Sequence, residues 1–452
     1  LADFFIFPIV LGLIRGIWKI IVIRIHSEII FPKYPDIFIP FFIRFGLTNN
    51  IVLKALKFKY MSTIQYNPPD YFLLDDLLTD EYKIIRSSVR DWVNRSVKPI
   101  IEDYYEKGQF PAHLVKEMGE LGAFGPYIPQ EYGGAGFDHM AYGIIMQELE
   151  RGDSGIRSMA SVQTSLVMYP IYTYGSEEQK RKWLPKLGSG EIIGCFGLTE
   201  PNHGSDPGSM KTRITDKGDH YLLNGAKMWI TNSTVADVGI VWAKDDEGVI
   251  RGLIVEKGWK GYTAPETHGK WSLRASVTGE MVFDDVVVPK ENILPNIKGL
   301  KGPMQCLNSA RYGIAWGAIG AAMDCYDAAV RYALERIQFD KPIAAFQLQQ
   351  KKLAEALTEI TKAQFLTWRL GALRNEGRAT AAHISMAKRN NVAMALDIAR
   401  NMRQVLGAMG ITNDFPMMRH MMNLESVITY EGTHDIHLLI TGHDITGIPA
   451  FK

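Results

Sequence analysis

The chain has 452 residues, of which 46% are hydrophobic and 22% charged; that composition fits a globular protein of about two to four domains and excludes a disordered one. Fifty basic side chains against 49 acidic ones leave a net charge of +1, which provides no field for nucleic acid or for an anionic membrane surface. Three cysteines, Cys195, Cys306 and Cys325, show no paired spacing, so a disulfide framework or zinc site is disfavoured and a reducing, cytoplasmic-type compartment fits.

Residues 1–60 are rich in Ile and Phe, but their apolar runs are cut by Asp3, Arg15, Lys19 and Arg24. None reaches the ~18 residues that a bilayer span needs. No targeting peptide with a basic start and a small-residue cleavage site is evident. We read 1–60 as an extension outside the working protein, with a membrane-surface anchor as the rival reading. From about 75 to 190 the periodicity is helical, as in "DEYKIIRSSVRDWVNRSVKPIIEDYYEK". From about 193 to 297 short β-type runs follow: "DHYLLNGAKMWIT", "VGIVWAK", "IRGLIVEKG" and "GEMVFDDVVVP". Long helical patterns return from about 301 to 445, including "ARYGIAWGAIGAAMDCYDAAVRYALERIQF". The expected organisation is α+β: a helical domain over 61–192, a β domain over 193–300 and a helical bundle over 301–452.

Several motif templates are absent, among them G-x-x-x-x-G-K-[ST], H-E-x-x-H and G-x-S-x-G. His434 and His437 have a helical spacing that could hold a metal, yet no third ligand is indicated, so no metal site is expected. Met417, Met418, Met421 and Met422 read as core filler. More informative are polar, glycine-bearing segments in apolar surroundings. "CFGLTEPNHGSDPGSM" (195–210) is a domain-joining loop or a cradle of backbone donors; "KMWITNS" (227–233) is a strand end or, through Trp229, one wall of a flat aromatic ligand site. "ELERGDSGIRSMASVQTS" (148–165) carries Glu150, Asp153 and Arg157, which alone would suggest a salt-bridged surface helix. "TYEGTHDIH" sets Glu431 between two helical patterns, where it could be a solvated helix-end carboxylate.

Taken in order, "YGGAG", "CFGLTEPNHGSDPGSM", "KMWITNS", "NSARYGIAWGAIGAA", "ERIQFDKPIAAFQLQQKKLAE", "QVLGAMGI" and "TYEGTHDIH" resemble the acyl-CoA dehydrogenases, over about residues 75–451. Within that family the likeness is greatest to the glutaryl-CoA dehydrogenases. The resemblance implies an N-terminal helical domain, a central β-barrel-like domain, a C-terminal four-helix bundle and FAD as cofactor. It makes Glu431 the base that removes the α-proton of an acyl-CoA thioester, with the β-hydride passing to the flavin. The thioester carbonyl would be held by the Glu431 backbone N–H and a ribityl hydroxyl, and Gly432 would allow close backbone approach. Phe196, Gly197, Leu198, Thr199, Ser205, Trp229, Ile230 and Thr231 would line FAD. Arg336, Phe339 and Gln347 would reach a neighbouring subunit's cofactor. Gln404, Val405, Leu406, Gly407 and Ala408, with Thr433, His434, Asp435 and Phe451, would hold its dinucleotide portion.

The same resemblance implies that the segment Met304, Gln305, Cys306, Leu307, Asn308, Ser309, Ala310 and Arg311 binds acyl-CoA, with Ser205 as a further contact. Arg157 would pair with the distal carboxylate of glutaryl-CoA, with Ser158 and Ser161 beside it and with Glu150 and Tyr430 matching the decarboxylating kind. A guanidinium fork suits a planar carboxylate. The product would be crotonyl-CoA with carbon dioxide, in lysine and tryptophan degradation. Alternatives are a non-decarboxylating or short-chain acyl-CoA dehydrogenase and, in another class, a non-catalytic flavoprotein. Electron transfer flavoprotein as acceptor, a homotetramer, and a cytoplasmic or mitochondrial-matrix setting are also implied. The chain departs from the family pattern at Ala408 and Met409, at Ile156, and at Thr441 to His443.

Overall fold

A computed structural model of the chain describes residues 68–450, so the extension expected over 1–60, and Phe451, lie outside the described residues. The first layer is helical: α1 (Asp80–Trp92), α2 (Ile101–Lys107), α3 (Leu114–Glu120), α4 (His139–Gly152), α5 (Ser154–Ser161), α6 (Tyr169–Tyr174) and α7 (Glu177–Gly188). Local sequence accounts for their starts. Thr79 caps α1 by accepting from the Tyr82 N–H, and Asp80 and Glu81 face the positive end of the helix dipole. Ser176 and Gln179 close a capping box on α7. α4 is buried almost all round, so its Gln147, Glu148 and Glu150 need partners inside the protein. A single extended residue, Asp153, separates α4 from α5 and caps the second helix through the Gly155 N–H at 2.6 Å. The helix continues past α5 as a buried π-helical stretch, Val162–Met168.

The middle of the chain forms a seven-stranded sheet. Its strands are β1 (Gly194–Gly197), β2 (Arg213–Asp216), β3 (His220–Thr231), β4 (Val238–Lys244), β5 (Ile250–Glu256), β6 (Tyr262–Thr263) and β7 (Thr278–Pro289). β4 lies between antiparallel β5 and parallel β1, and β3 pairs antiparallel with both β2 and β7. β6 ends the path on β7, and among the described residues no ladder joins β5 to β6. The expected β-barrel-like domain is this curled sheet. Six of the seven β4 residues are buried, as an unbroken Val/Ile/Trp run demands of a strand covered on both faces.

The last layer is a bundle of α8 (Lys301–Glu335), α9 (Gln347–Asn375), α10 (Ala381–Val405), α11 (Met417–Val427) and α12 (His434–Thr446). α8 is its axis, packing along α10 on one side and across α4 on the other. The helical pattern of the sequence runs on to Phe339, but α8 stops at Glu335. A hairpin of β8 (Ile337–Gln338) and β9 (Lys341–Pro342) follows, turned by Phe339 and Asp340 at φ +51° and +61°. Pro342 disfavours helical backbone at Lys341, which lies in β9. Met417 is buried in the bundle core, with Met421 and Met422 packed against core clusters. Among the described residues no helix is long and apolar enough to cross a membrane, and no cluster of three or more metal-ligating side chains occurs.

Candidate active site

The interruption "TYEGT" is a tight turn between α11 and α12. Thr433 caps α12 through the Ile436 N–H at 3.2 Å, and the residues before it leave helical space, with Glu431 at φ +53° and Gly432 at +93°. A side-chain residue in the left-handed region is costly unless its surroundings impose it. Here three successive carbonyls are held by buried cations. Lys388 Nζ of α10 donates to Tyr430 O at 2.6 Å and Gly432 O at 2.7 Å, while Arg311 Nε of α8 donates to Glu431 O at 2.7 Å. A Cβ at Gly432 would be crowded, 3.0 Å from His437 Nε2 and 3.2 Å from Arg311 Nη2, and the positive φ there disfavours any side chain. Glu431 Oε2 is buried without a protein partner, so burial pushes its carboxyl above the ordinary range while Arg157, Lys388 and Arg311 pull the other way. Both ring nitrogens of His437 are also buried and unpartnered, and burial holds that ring neutral by lowering its pKa to about 2.

Beside this turn lies a buried charge cluster. Arg157 Nε donates to Glu150 Oε2 at 2.7 Å, its Nη2 donates to the Tyr430 hydroxyl, and its Nη1 is buried with no partner. Glu150 Oε1 accepts from Ser154 Oγ at 2.7 Å. Gly317 of α8 makes the space, since a Cβ there would sit 2.0 Å from Glu150 Oε2. The Oγ atoms of Ser158 and Ser161 are buried and unpartnered as well. Asp153 Oδ2 accepts from Arg419 Nη1 at 2.9 Å and Asn423 Nδ2 at 2.8 Å, tying the α4–α5 junction to α11 and so to the Glu431 turn. A surface-helix reading of Glu150, Asp153 and Arg157 is thereby corrected: all three have zero exposure.

The 304–311 segment divides by helical phase. Met304, Gln305, Leu307 and Asn308 are partly exposed, and the Gln305 amide oxygen accepts from the Tyr174 hydroxyl. Cys306 and Ala310 point into the core, and Ser309 Oγ is engaged by Tyr127 and Ser165. Eight consecutive helical side chains cannot share one face, and Cys306 and Ala310 are the ones turned into the core. Arg311 is buried under the Glu431 turn.

On the sheet side, the Met228 N–H donates to Thr199 O at 2.9 Å, which joins the two glycine- and hydroxyl-bearing segments. Lys227 Nζ, fully buried, donates to Leu198 O at 3.1 Å and Glu200 Oε1 at 2.9 Å; Glu200 in turn accepts from the Lys211 and Thr212 N–H groups. Trp229 is left-handed at φ +61° and 57% exposed, so its indole face is presented rather than packed. Gly197 is buried, Thr231 half-buried and Ser205 exposed. The side chains of Phe196, Leu198 and Ile230 pack in cores, which leaves their backbone as the part best placed for a ligand. Val405 and Leu406 likewise lie in the bundle core, whereas Gln404, Gly407 and Ala408 are exposed. Arg336, Phe339 and Gln347 are exposed on and beside the hairpin, Asp435 is exposed, and Thr433 and His434 are half-buried. Sequence reasoning missed Lys388, Gly317 and His437. A lysine inside an otherwise apolar helix stripe, "ISMAKRNNVAMAL", was the one available signal for the first.

Three family models cover most of the chain: acyl-CoA dehydrogenase N-terminal domain over residues 79–191, middle domain over 195–286 and C-terminal domain over 298–445. Glutaryl-CoA dehydrogenase of Desulfococcus multivorans is 37% identical over 83% of this chain and 99% of its own length. The human mitochondrial short-chain specific acyl-CoA dehydrogenase is 36% identical over 81% of this chain and 90% of its own. A crystal structure of a glutaryl-CoA dehydrogenase from Mycobacterium smegmatis in complex with FADH2 superposes with a TM-score of 0.84 at 47% identity, covering 86% of this chain and all of that one. With all three domains matched in order, the chain belongs to the acyl-CoA dehydrogenase family and is an enzyme of that family.

Proposed function

We propose that the chain is an FAD-dependent glutaryl-CoA dehydrogenase that oxidises and decarboxylates glutaryl-CoA to crotonyl-CoA and carbon dioxide. The observation that carries this reading is the buried Arg157 guanidinium with its open Nη1, linked through Tyr430 to the turn that holds Glu431. A buried donor without a partner is costly, and a substrate carboxylate satisfies it. An acyl chain without that carboxylate leaves the cost in place, so the pocket favours a diacid thioester over a plain one.

The unpartnered Glu431 carboxylate takes the α-proton, for which it must be ionised. The Glu431 backbone N–H supports charge that develops on the thioester oxygen. FAD, when bound, supplies the acceptor for the β-hydride. The exposed Trp229 indole and the donors around Thr199 and Thr231 fit its ring system, and the orphaned nitrogens of His434 and His437 fit a polar group beside α12. In the oxidised thioester the terminal carboxylate sits on the methylene next to the new double bond, so the C–C bond to it can break with its electron pair passing through that double bond to the thioester carbonyl. Loss of carbon dioxide leaves its electron pair in a dienolate beside the cationic cluster, and Glu431, now protonated, returns the proton to give crotonyl-CoA.

The exposed hairpin tip, with Phe339 87% exposed on a left-handed backbone, supports assembly into a homotetramer in which Arg336, Phe339 and Gln347 reach a neighbour's FAD. Electron transfer flavoprotein is the proposed acceptor. The identity to a short-chain enzyme favours one second reading, a dehydrogenase of unbranched monoacyl thioesters. Turnover of glutaryl-CoA and butyryl-CoA, with measurement of released carbon dioxide, separates the two. Faster turnover of butyryl-CoA, or diacid oxidation without carbon dioxide, would overturn the proposed reaction.

A further inference from the structure

Lys388 has zero exposure, and its ammonium donates to two backbone carbonyls rather than to a carboxylate. Those carbonyls belong to Tyr430 and Gly432, one on each side of Glu431. Tyr430 O lies in the peptide plane before Glu431, and Glu431 O, held by Arg311, in the plane after it, so Lys388 and Arg311 together fix the Glu431 backbone while the bond to Gly432 O extends the clamp over Gly432. The left-handed conformation of Glu431 thus has identifiable causes on α10 and α8, far earlier in the chain. The cation also acts on the carboxylate it positions, because Glu431 is the anionic group that raises the affinity of Lys388 for its proton.

We propose that Lys388 is the positioning residue for the base: its ammonium clamps the Tyr430 and Gly432 carbonyls and, with Arg311 on Glu431 O, holds Glu431 in its left-handed turn. This rests on reading Glu431 as the base. The other groups that face the pair are Tyr142 of α4, Arg157 of α5, Arg311 of α8, Tyr430 of the turn, and His434 and His437 of α12. Arg157 and Arg311 keep their charge at any working pH and also pull the Glu431 carboxyl down, and burial lowers the two histidines, so Lys388 is the one of the three cations whose own charge can change with pH. Burial pulls Lys388 itself down to about 7, with Arg311 and Arg157 adding to that and Glu431 opposing it.

The test is Lys388→Met in the FAD-loaded protein, with Lys388→Gln and Lys388→Arg beside it. Flavin reduction at saturating glutaryl-CoA is followed across pH, and hydrogen exchange is followed over residues 428–434. For Lys388→Met the reduction rate should fall about 100-fold, as expected of a misplaced catalytic group, with KM changed less than about threefold. The acid limb of the pH profile should move up by about one unit, and exchange in the turn should quicken. Lys388→Arg should recover the acid limb. If Lys388→Met does not accumulate as an FAD-binding protein, Lys388→Gln carries the same expectations. A folded variant that reduces flavin within about twofold of the native rate overturns the proposal, as does a slow one whose acid limb and exchange are both unchanged. Glu431→Gln run in parallel separates the failures: native reduction by that variant defeats the base reading itself, whereas an inactive Glu431→Gln beside an active Lys388→Met defeats only the role of Lys388.

Discussion

Arg157 and Glu150 form an ion pair at 2.7 Å from which solvent is wholly excluded, and the pair leaves one guanidinium nitrogen unanswered. Burying both charges is unfavourable unless their remaining valences are met. Ser154 meets one on Glu150 and Tyr430 meets one on Arg157, which leaves Nη1 for a ligand.

On the proposed reading, in which Arg157 pairs with the distal carboxylate, Arg157→Ala should lower kcat/KM for glutaryl-CoA by about 100-fold or more, and for butyryl-CoA by less than about tenfold. The same change strands Glu150 and should destabilise the fold by about 3–5 kcal/mol. Combining Arg157→Met with Glu150→Gln removes both charges and should restore much of the stability without restoring diacid turnover. Steady-state kinetics on both thioesters and urea unfolding check these expectations.

Gly317→Ala should act on the same pair from the opposite side. Its Cβ falls 2.0 Å from Glu150 Oε2, so the carboxylate and its arginine must shift. The expected outcome is a loss of about 1–3 kcal/mol in stability and a larger rise in KM for glutaryl-CoA than for butyryl-CoA. Equal effects on the two substrates would show that the displaced pair does not read the carboxylate.

Glu431→Gln should abolish flavin reduction by substrate, a loss of about 10²–10⁴-fold or more for removal of a positioned base. Its effect on stability has the opposite sign. Burial raises the Glu431 carboxyl in the folded state, so the folded protein holds that proton over a pH window in which the unfolded chain has released it. Stability then falls as pH rises through that window. The glutamine variant should therefore melt above the native protein near pH 8, and the difference should vanish near pH 4. Calorimetric melting of both proteins across pH measures it.

Glu200→Gln should loosen the flavin side of the site. Burial opposes ionisation of Glu200, but Lys227, Thr212 and the Lys211 N–H together outweigh it and hold the carboxyl at about 2. A depressed carboxyl stabilises the fold above its unfolded pKa of about 4.3 and loses that contribution as pH falls toward 2. The stability gap between the native protein and Glu200→Gln should thus be widest near neutrality and narrow below about pH 4.5. FAD should dissociate about tenfold more readily from the variant, because Lys227 loses its counter-ion and Leu198–Glu200 its anchor.

The alternation of helical and β-type periodicity was enough to place the three layers, because each pattern is local. Thr79, Ser176 and Thr433 start their helices by bonding residues three positions on, and such caps are readable from a few letters. The candidate site segments were also visible as polar, glycine-bearing breaks: Thr199 with Trp229, the turn at Glu431, and the charged stretch around Arg157. Their side-chain directions were not. Helical phase sends Cys306 and Ala310 inward and leaves Met304, Leu307 and Asn308 outward, and the strand or helix-end setting of Phe196, Ile230, Val405 and Leu406 puts their side chains into cores.

What the sequence determined by itself was the order of the layers and the places where the chain must turn, since propensity, capping and period act over a few residues. What only the tertiary structure decided was the electrostatics of the site. Lys388 meets the turn from 43 residues away, Gly317 meets Glu150 from another layer, and Arg311 crosses 120 residues to reach Glu431 O. Whether a carboxylate is a solvated surface charge or a desolvated base depends on what the fold brings around it, and no local pattern encodes that environment.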